Sequence, residues 1–92
     1  MTSNWNENKE EYLEALDRRG EIEFDYNNHH YHIESTDYER DDFDIWKFTA
    51  SGSDDGVIIA HCKNPKEVLS IKAFEGKSLE EIDDVITNCY IL

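Results

Sequence analysis

Three histidines stand close together in the stretch His29-His30-Tyr31-His32, which follows an alternating acidic and apolar segment, Glu21 to Tyr26. Imidazole nitrogens and carboxylate oxygens are ligands that zinc and other first-row divalent metals accept. The chemistry that this pattern could support is therefore metal binding or metal-dependent catalysis. Either needs a fold that brings the side chains to one point.

The residues between these two stretches predict a β-hairpin that decides where the side chains lie. Asn27-Asn28 can adopt positive φ at both positions, as a two-residue type I′ turn requires. Such a turn fixes the pairing of the strands, with Tyr26 opposite His29 and each following pair one step further from the turn. One face of the hairpin then carries the apolar residues Ile22, Phe24, Tyr26, Tyr31 and Ile33. The polar face carries Glu23, Asp25, His30 and His32.

These four polar residues, Glu23, Asp25, His30 and His32, are the candidate metal ligands. A flat two-stranded surface does not naturally converge four ligands, and the sequence has no HExxH or CxxC pattern. Cross-strand pairs between histidines and carboxylates, each worth a few tenths to about one kcal/mol, account for the same residues. We therefore expect no cofactor, and we keep a metal-dependent enzyme that uses this patch as an alternative function.

The two cysteines offer no nucleophile. Cys62 is predicted to point inward from a strand together with Ile58 and Ala60, and Cys89 to lie on the apolar stripe of a final helix. Thiols buried in apolar surroundings are unreactive. Strand alternation sends His61 to the face opposite Cys62, which disfavours a Cys–His pair. The chain also lacks a GxSxG elbow and a P-loop, so we expect a protein that is not an enzyme.

The elements that must position these residues predict a single α+β domain over residues 1–92. A helix from about Glu7 to Arg19 precedes the hairpin, because Tyr12, Leu13 and Leu16 fall on one stripe. Two further strands are predicted after a polar connection over residues 35–44. The third strand, Phe43 to Ala50, carries Trp46, Phe48 and Ala50 on one face, and the fourth strand is Val57 to Cys62.

Two helices are predicted to follow the strands. Asn64-Pro65 announces a short one, with Asn as the cap and Pro at the first position. Ser78 and Glu81 form a capping box for a longer one, whose apolar residues are Leu79, Ile82, Val85, Ile86 and Cys89. Ile71–Phe74 is left open between helix and strand. The order α-β-β-β-β-α-α implies an antiparallel four-stranded sheet with the N- and C-terminal helices packed mainly on one face.

Composition excludes several classes of protein. The chain of 92 residues has 22 acidic and 9 basic residues and a net charge of −13. That charge argues against direct binding of nucleic acid or of anionic membranes. The longest aliphatic run, Val57–Ala60, is far short of the roughly 20 residues that span a bilayer.

Five Tyr, four Phe and two Trp favour an ordered domain. Two cysteines without a framework are typical of a reducing compartment, so we expect a cytoplasmic protein.

The acidity is uneven along the chain. Residues 34–44 hold six acids and one base, whereas residues 45–74 hold three acids and four bases. An acidic surface keeps a small protein soluble, and it also steers a basic partner toward itself. An exposed Tyr38 within it would suit an interface anchor. The candidate partner-binding residues are Asp37, Tyr38, Glu39, Asp41, Asp42 and Asp44.

We therefore favour a small acidic interaction or regulatory module that binds a basic protein surface. One alternative is a nucleic-acid mimic, which would inhibit a DNA- or RNA-binding protein by occupying its basic groove. The metal-dependent enzyme is the other alternative. A monomer and a homodimer are both compatible with the sequence.

Two stretches carry a resemblance to known proteins. They are Glu21-Ile22-Glu23-Phe24-Asp25-Tyr26 with Tyr31-His32-Ile33, and Phe74-Glu75-Gly76-Lys77-Ser78-Leu79-Glu80-Glu81-Ile82. The chain resembles small cytoplasmic α+β proteins of Gram-positive bacteria and their mobile elements, a group without a known activity. The resemblance implies a cytoplasmic α+β domain and assigns no functional residue.

Overall fold

A computed structural model of the chain describes residues 9–37 and 42–92. The elements follow in the order α1 (Lys9–Asp17), β1 (Ile22–Tyr26), β2 (His29–Asp37), β3 (Asp42–Phe48), β4 (Val57–Cys62), α2 (Pro65–Ser70), α3 (Leu79–Ile82) and β5 (Thr87–Ile91). The predicted α+β class is confirmed. The sheet has five strands instead of four.

The five strands form one antiparallel sheet in the order β4-β3-β2-β1-β5. β1 to β4 make a meander in which each strand pairs with the next. The chain then passes through α2 and α3 and returns as β5 to the free edge of β1. β1 and β2, which carry the histidines and the alternating acids, are therefore held on both sides by neighbouring strands.

The hairpin between β1 and β2 has the predicted turn and register. Asn27 and Asn28 have φ values of 49° and 66°, as a type I′ turn requires. Tyr26 pairs with His29, and Ile22 pairs with Ile33 at the far end. Because side chains alternate along a strand, this register alone decides which residues lie on each face of the hairpin.

The helices cover one face of the sheet, and the hydrophobic core lies between them. Phe74 packs against Phe24 and Tyr31, with ring centroids 5.5 and 5.1 Å away. Tyr12 of α1 donates its hydroxyl to the backbone carbonyl of Cys89, 3.3 Å away, which ties α1 to β5. The buried apolar residues are Tyr12, Ala15, Leu16, Ile22, Phe24, Tyr31, Ile33, Phe43, Ile45, Cys62, Val68, Phe74, Leu79, Ile82, Ile86 and Cys89.

The predicted helix starts after α1 are both present. Asn64 accepts the backbone N–H of Glu67 at α2, which also has Pro65 in its first turn. Ser78 and Glu81 form the predicted capping box at α3.

All helices in the described ranges are short, and none has the length and apolar character needed to cross a bilayer.

The prediction that the last helix continues to Cys89 is wrong. α3 ends at Ile82, and Thr87–Ile91 forms β5. Between the pairs Glu23–Tyr90 and Asp25–Thr87, one residue of β1 opposes two of β5, so β5 contains a bulge. An extra residue in a strand reverses the alternation beyond it. Ile86 and Cys89 are therefore both buried although they are three residues apart, a spacing that imitates a helix.

The predicted orientation of Ile58 is wrong because β4 contains a second bulge. Ile45 pairs with Ala60 and Trp46 with Ile58, so that Ile59 is the extra residue of β4. Cys62 is buried as predicted, but Ile58 is 51% exposed instead of pointing inward.

Two predicted connections also differ in detail. The polar connection predicted over residues 35–44 is partly strand, because β2 extends to Asp37 and β3 begins at Asp42. The segment left open, Ile71–Phe74, belongs to no named helix or strand, and Phe74 forms an isolated bridge with Lys77.

Candidate functional site

The face of the sheet opposite the core carries a concentrated set of polar and aromatic side chains, which we call the open face. No helix in the described ranges covers it. Its members come from β1 to β4 and from the residue before β1, and they contact one another in the pairs described below. They are Glu21, Glu23, Asp25, His30, His32, Glu34, Asp42, Asp44, Trp46, Phe48 and His61.

His30 bridges two carboxylates of β1. Its Nδ1 lies 2.8 Å from Oδ1 of Asp25, and its Nε2 lies 2.5 Å from Oε1 of Glu23. Both bonds form together when both ring nitrogens carry a proton, because a carboxylate only accepts. The ring is buried, with Phe48 packed 5.8 Å from its centroid. The His30 ring thus lies between the two carboxylates, with one contact on each ring nitrogen.

His61 makes the same kind of bridge on β4, but it is exposed. Its Nδ1 lies 2.7 Å from Oδ1 of Asp44, and its Nε2 lies 3.3 Å from Oδ2 of Asp42. The hydrogen bond with Asp44, aided by the negative charge of Asp42, raises the pKa of His61. Two of the predicted partner-binding residues, Asp42 and Asp44, are therefore partly neutralised when His61 is protonated.

His32 differs from both, because two carboxylates approach the same ring nitrogen. Its Nε2 lies 3.5 Å from Oε2 of Glu34 and 3.7 Å from Oε2 of Glu21. Its Nδ1 lies 3.9 Å from Oε2 of Glu23. The Nε2 atom is buried and has no hydrogen-bond partner within the described part of the chain.

An aromatic pair lies at the centre of the open face. Trp46 and Phe48 share this face, as predicted, and their rings stack with centroids 6.4 Å apart and an interplanar angle of 19°. The indole N–H of Trp46 donates to Oε1 of Glu34 over 2.9 Å. Trp46 and Phe48 line, with His32 and Glu34, a shallow depression of about 230 Å³.

The predicted site residues are only partly brought together. Glu23 and Asp25 contact opposite nitrogens of His30, so these three do not face one point, and His32 has a separate set of neighbours. Of the predicted partner-binding residues, Asp42 and Asp44 lie on the open face, and Asp37 ends β2. The other three, Tyr38, Glu39 and Asp41, lie outside the described residues.

Sequence reasoning did not assign five open-face residues to a site: Glu21, Glu34, Trp46, Phe48 and His61. The period-two alternation could have found them. Glu21 continues the series of Glu23 and Asp25 by one step, and Glu34 continues the series of His30 and His32.

The cysteines contribute nothing to the open face. Cys62 and Cys89 are buried in the core and form no disulfide. Burial, with a smaller effect of nearby carboxylates, raises the pKa of Cys62 to about 11. A thiol with such a pKa is protonated at neutral pH and is a poor nucleophile.

Comparison with known proteins gives no relative: no family model, curated protein or solved structure matches the chain.

Proposed function

We propose that the protein is a small, non-enzymatic interaction module whose open face binds a basic segment of a partner protein. The observation that carries the proposal is the combination of Trp46 and Phe48 with acidic side chains on one face of the sheet. The aromatic pair shares the open face with six carboxylates, those of Glu21, Glu23, Asp25, Glu34, Asp42 and Asp44.

Among the described residues, the open face carries no Lys or Arg side chain. Lys47 is the single Lys or Arg within the five strands, and its Nζ lies 5.9 Å over the ring of Tyr31, a core residue. Its positive charge is therefore on the helix-covered side. Arg and Lys side chains that approach the open face meet carboxylates, histidines and the two aromatic rings, and the carboxylates give the electrostatic complementarity that speeds association and disfavours acidic partners.

The aromatic pair adds binding energy that charge attraction alone does not provide. Trp is enriched at interface hot spots, and a guanidinium or ammonium group over an indole face gains about 0.5–2 kcal/mol. The bond from Trp46 to Glu34 holds the indole in one orientation beside a carboxylate. A basic side chain can contact the ring and the carboxylate together, and this combination favours Arg, whose planar group suits both.

The experiment measures binding of a labelled arginine- and lysine-rich peptide by fluorescence anisotropy, with a chelator present throughout. We expect Trp46→Ala and Glu34→Gln to weaken binding about tenfold, because each removes part of the aromatic and acidic centre. Glu80→Gln, which removes an equal charge from α3, is the matched control and is expected to change binding less than twofold. Equal losses in all three variants would show non-specific attraction to an acidic protein and reject the proposal.

The same surface can be tested against a natural partner. Wild-type protein and Trp46→Ala are used in parallel to capture proteins from a lysate. Only proteins that the wild type captures and Trp46→Ala does not are taken as partners of the open face. Release of such a species by added duplex DNA would identify the partner as a nucleic-acid-binding protein and favour the mimic. Retention in the presence of DNA would place the contact elsewhere on a basic protein.

A further inference from the structure

The three open-face histidines are not equivalent in how carboxylates surround them. At His30 and His61, the two carboxylates contact different ring nitrogens, so the ring separates them. At His32, the carboxylates of Glu21 and Glu34 both face Nε2. Only the second arrangement brings three ligand atoms around one point, and these three atoms lie within 4.8 Å of one another.

The distances suit a small divalent ion better than they suit hydrogen bonds. Zinc bonds of about 2.0–2.1 Å in tetrahedral geometry place neighbouring ligand atoms about 3.3–3.4 Å apart. The observed separations from Nε2 are 3.5 Å to Glu34 and 3.7 Å to Glu21. Both exceed a hydrogen bond, whereas a shift of a few tenths of an ångström gives the spacing of metal ligands.

The unsatisfied state of Nε2 points the same way. A buried ring nitrogen without a partner carries a cost in free energy, which is why such atoms are rare in folded proteins. The His32 side chain is 18% exposed, and its Nε2 is shielded from solvent. A cation bound between the three side chains would satisfy this nitrogen and offset the repulsion between the two glutamates.

Neighbouring residues lie beside two of the three ligand side chains, those of Glu34 and His32. Trp46 holds Oε1 of Glu34, which leaves Oε2 directed toward His32. Glu23 places Oε2 3.9 Å from Nδ1 of His32, on the side of the ring away from Nε2. Metal-binding histidines commonly have a carboxylate at the second nitrogen, where it fixes the tautomer and the orientation of the ring.

We propose that Glu21, His32 and Glu34 form a binding site for a divalent transition-metal ion, with water or a partner's side chain at the fourth position. One imidazole and two carboxylates match Zn²⁺, whereas Mg²⁺ and Ca²⁺ prefer oxygen ligands only. The ligand set differs from Glu23, Asp25, His30 and His32, which the sequence suggested. The inference goes beyond the proposed interaction function and does not depend on it.

The test is calorimetric titration of ZnCl₂ into untagged protein from which metal has been removed, with native mass spectrometry to count bound ions. We expect one Zn²⁺ per chain, at least tenfold weaker binding in His32→Gln and in Glu21→Gln, and less than twofold change in His61→Gln. His61→Gln is the matched control, because it makes the same substitution beside two other carboxylates. Absence of stoichiometric binding, or an equal loss in His61→Gln, would overturn the proposal.

Two further measurements keep the result clear if a variant is destabilised. In a Trp5→Phe background, the fluorescence of Trp46 should change and saturate at one Zn²⁺, and Trp46→Phe should weaken binding about tenfold through Glu34. Equal competition by Mg²⁺ would indicate a general acidic surface and contradict the site. Failure here leaves the peptide experiment unaffected, since that binding is measured with a chelator.

Discussion

Trp46 and Glu34 join the two kinds of side chain that define the open face. The indole N–H of Trp46, on β3, donates over 2.9 Å to a carboxylate oxygen of Glu34, on the neighbouring strand β2. The aromatic pair is thus joined to one of the acidic residues of the open face by a hydrogen bond. Because both residues are only partly buried, the bond contributes to the fold while both groups remain accessible to a partner.

Replacing Trp46 with Phe tests this bond. The substitution keeps an aromatic ring and removes the N–H, so we expect the free energy of unfolding to fall by about 1 kcal/mol. Urea unfolding followed by circular dichroism measures the change. In a Glu34→Gln background, the same substitution should cost clearly less, because the charged acceptor is already gone. Equal costs in the two backgrounds would show that the bond contributes nothing beyond ring packing.

Tyr31 carries a buried hydroxyl with no hydrogen-bond partner in the described ranges. An unsatisfied buried hydroxyl is unfavourable, so Tyr31→Phe should raise the free energy of unfolding by about 1 kcal/mol at pH 7. Denaturant unfolding measures this, with Tyr90→Phe, at a 41% exposed position, as the neutral control. Destabilisation by Tyr31→Phe would show that the hydroxyl is satisfied after all.

The same residue makes stability depend on high pH. Burial, together with the charge of Glu75, raises the pKa of Tyr31 to about 12. An unfolded chain ionises its tyrosines near pH 10, so the unfolded state loses its proton first and stability falls between about pH 10 and 12. Tyr31→Phe should flatten this decline. An unchanged slope in the variant would assign the decline to other groups.

His61 provides a test of the acidic end of the open face. The hydrogen bond with Asp44 raises the pKa of His61, so the contribution of this pair to stability is present below the unfolded pKa of about 6.5. That contribution is lost as pH rises through the folded pKa. Titration by NMR should show a lower His61 pKa in Asp44→Asn and an unchanged one in Asp54→Asn. A pKa insensitive to Asp44 would rule out the observed pair.

Local chemistry made the hairpin readable from the sequence. Asn27-Asn28 selects the turn, the turn fixes the register, and the register places His32 beside Glu23. The convergence of Glu21 and Glu34 on one nitrogen of His32 could not be predicted from the sequence, because it depends on side-chain rotamers and on Trp46 from a third strand.

The prediction for the C-terminal segment was wrong for a different reason. Its capping box and its apolar spacing are both helical, and α3 does begin at the box. The pairing of the following residues with β1, more than 60 positions away, overrides that local preference. Tertiary context commonly prevails over propensity in this way, and the bulge conceals the strand by giving its buried residues a helical spacing.

The bulge itself can be tested at Asn88, which has a φ of 52°. A β-branched residue is strained at positive φ, so Asn88→Val should lower the free energy of unfolding by about 1–3 kcal/mol. Asn88→Gly keeps the backbone freedom and should cost little beyond the exposed bond from Asn88 to Asp25. In a helix, Val and Asn have similar propensities and Gly is worse than both. Urea unfolding of the two variants therefore separates the structures: Gly more stable than Val supports the bulged strand, and the reverse order would restore the helix.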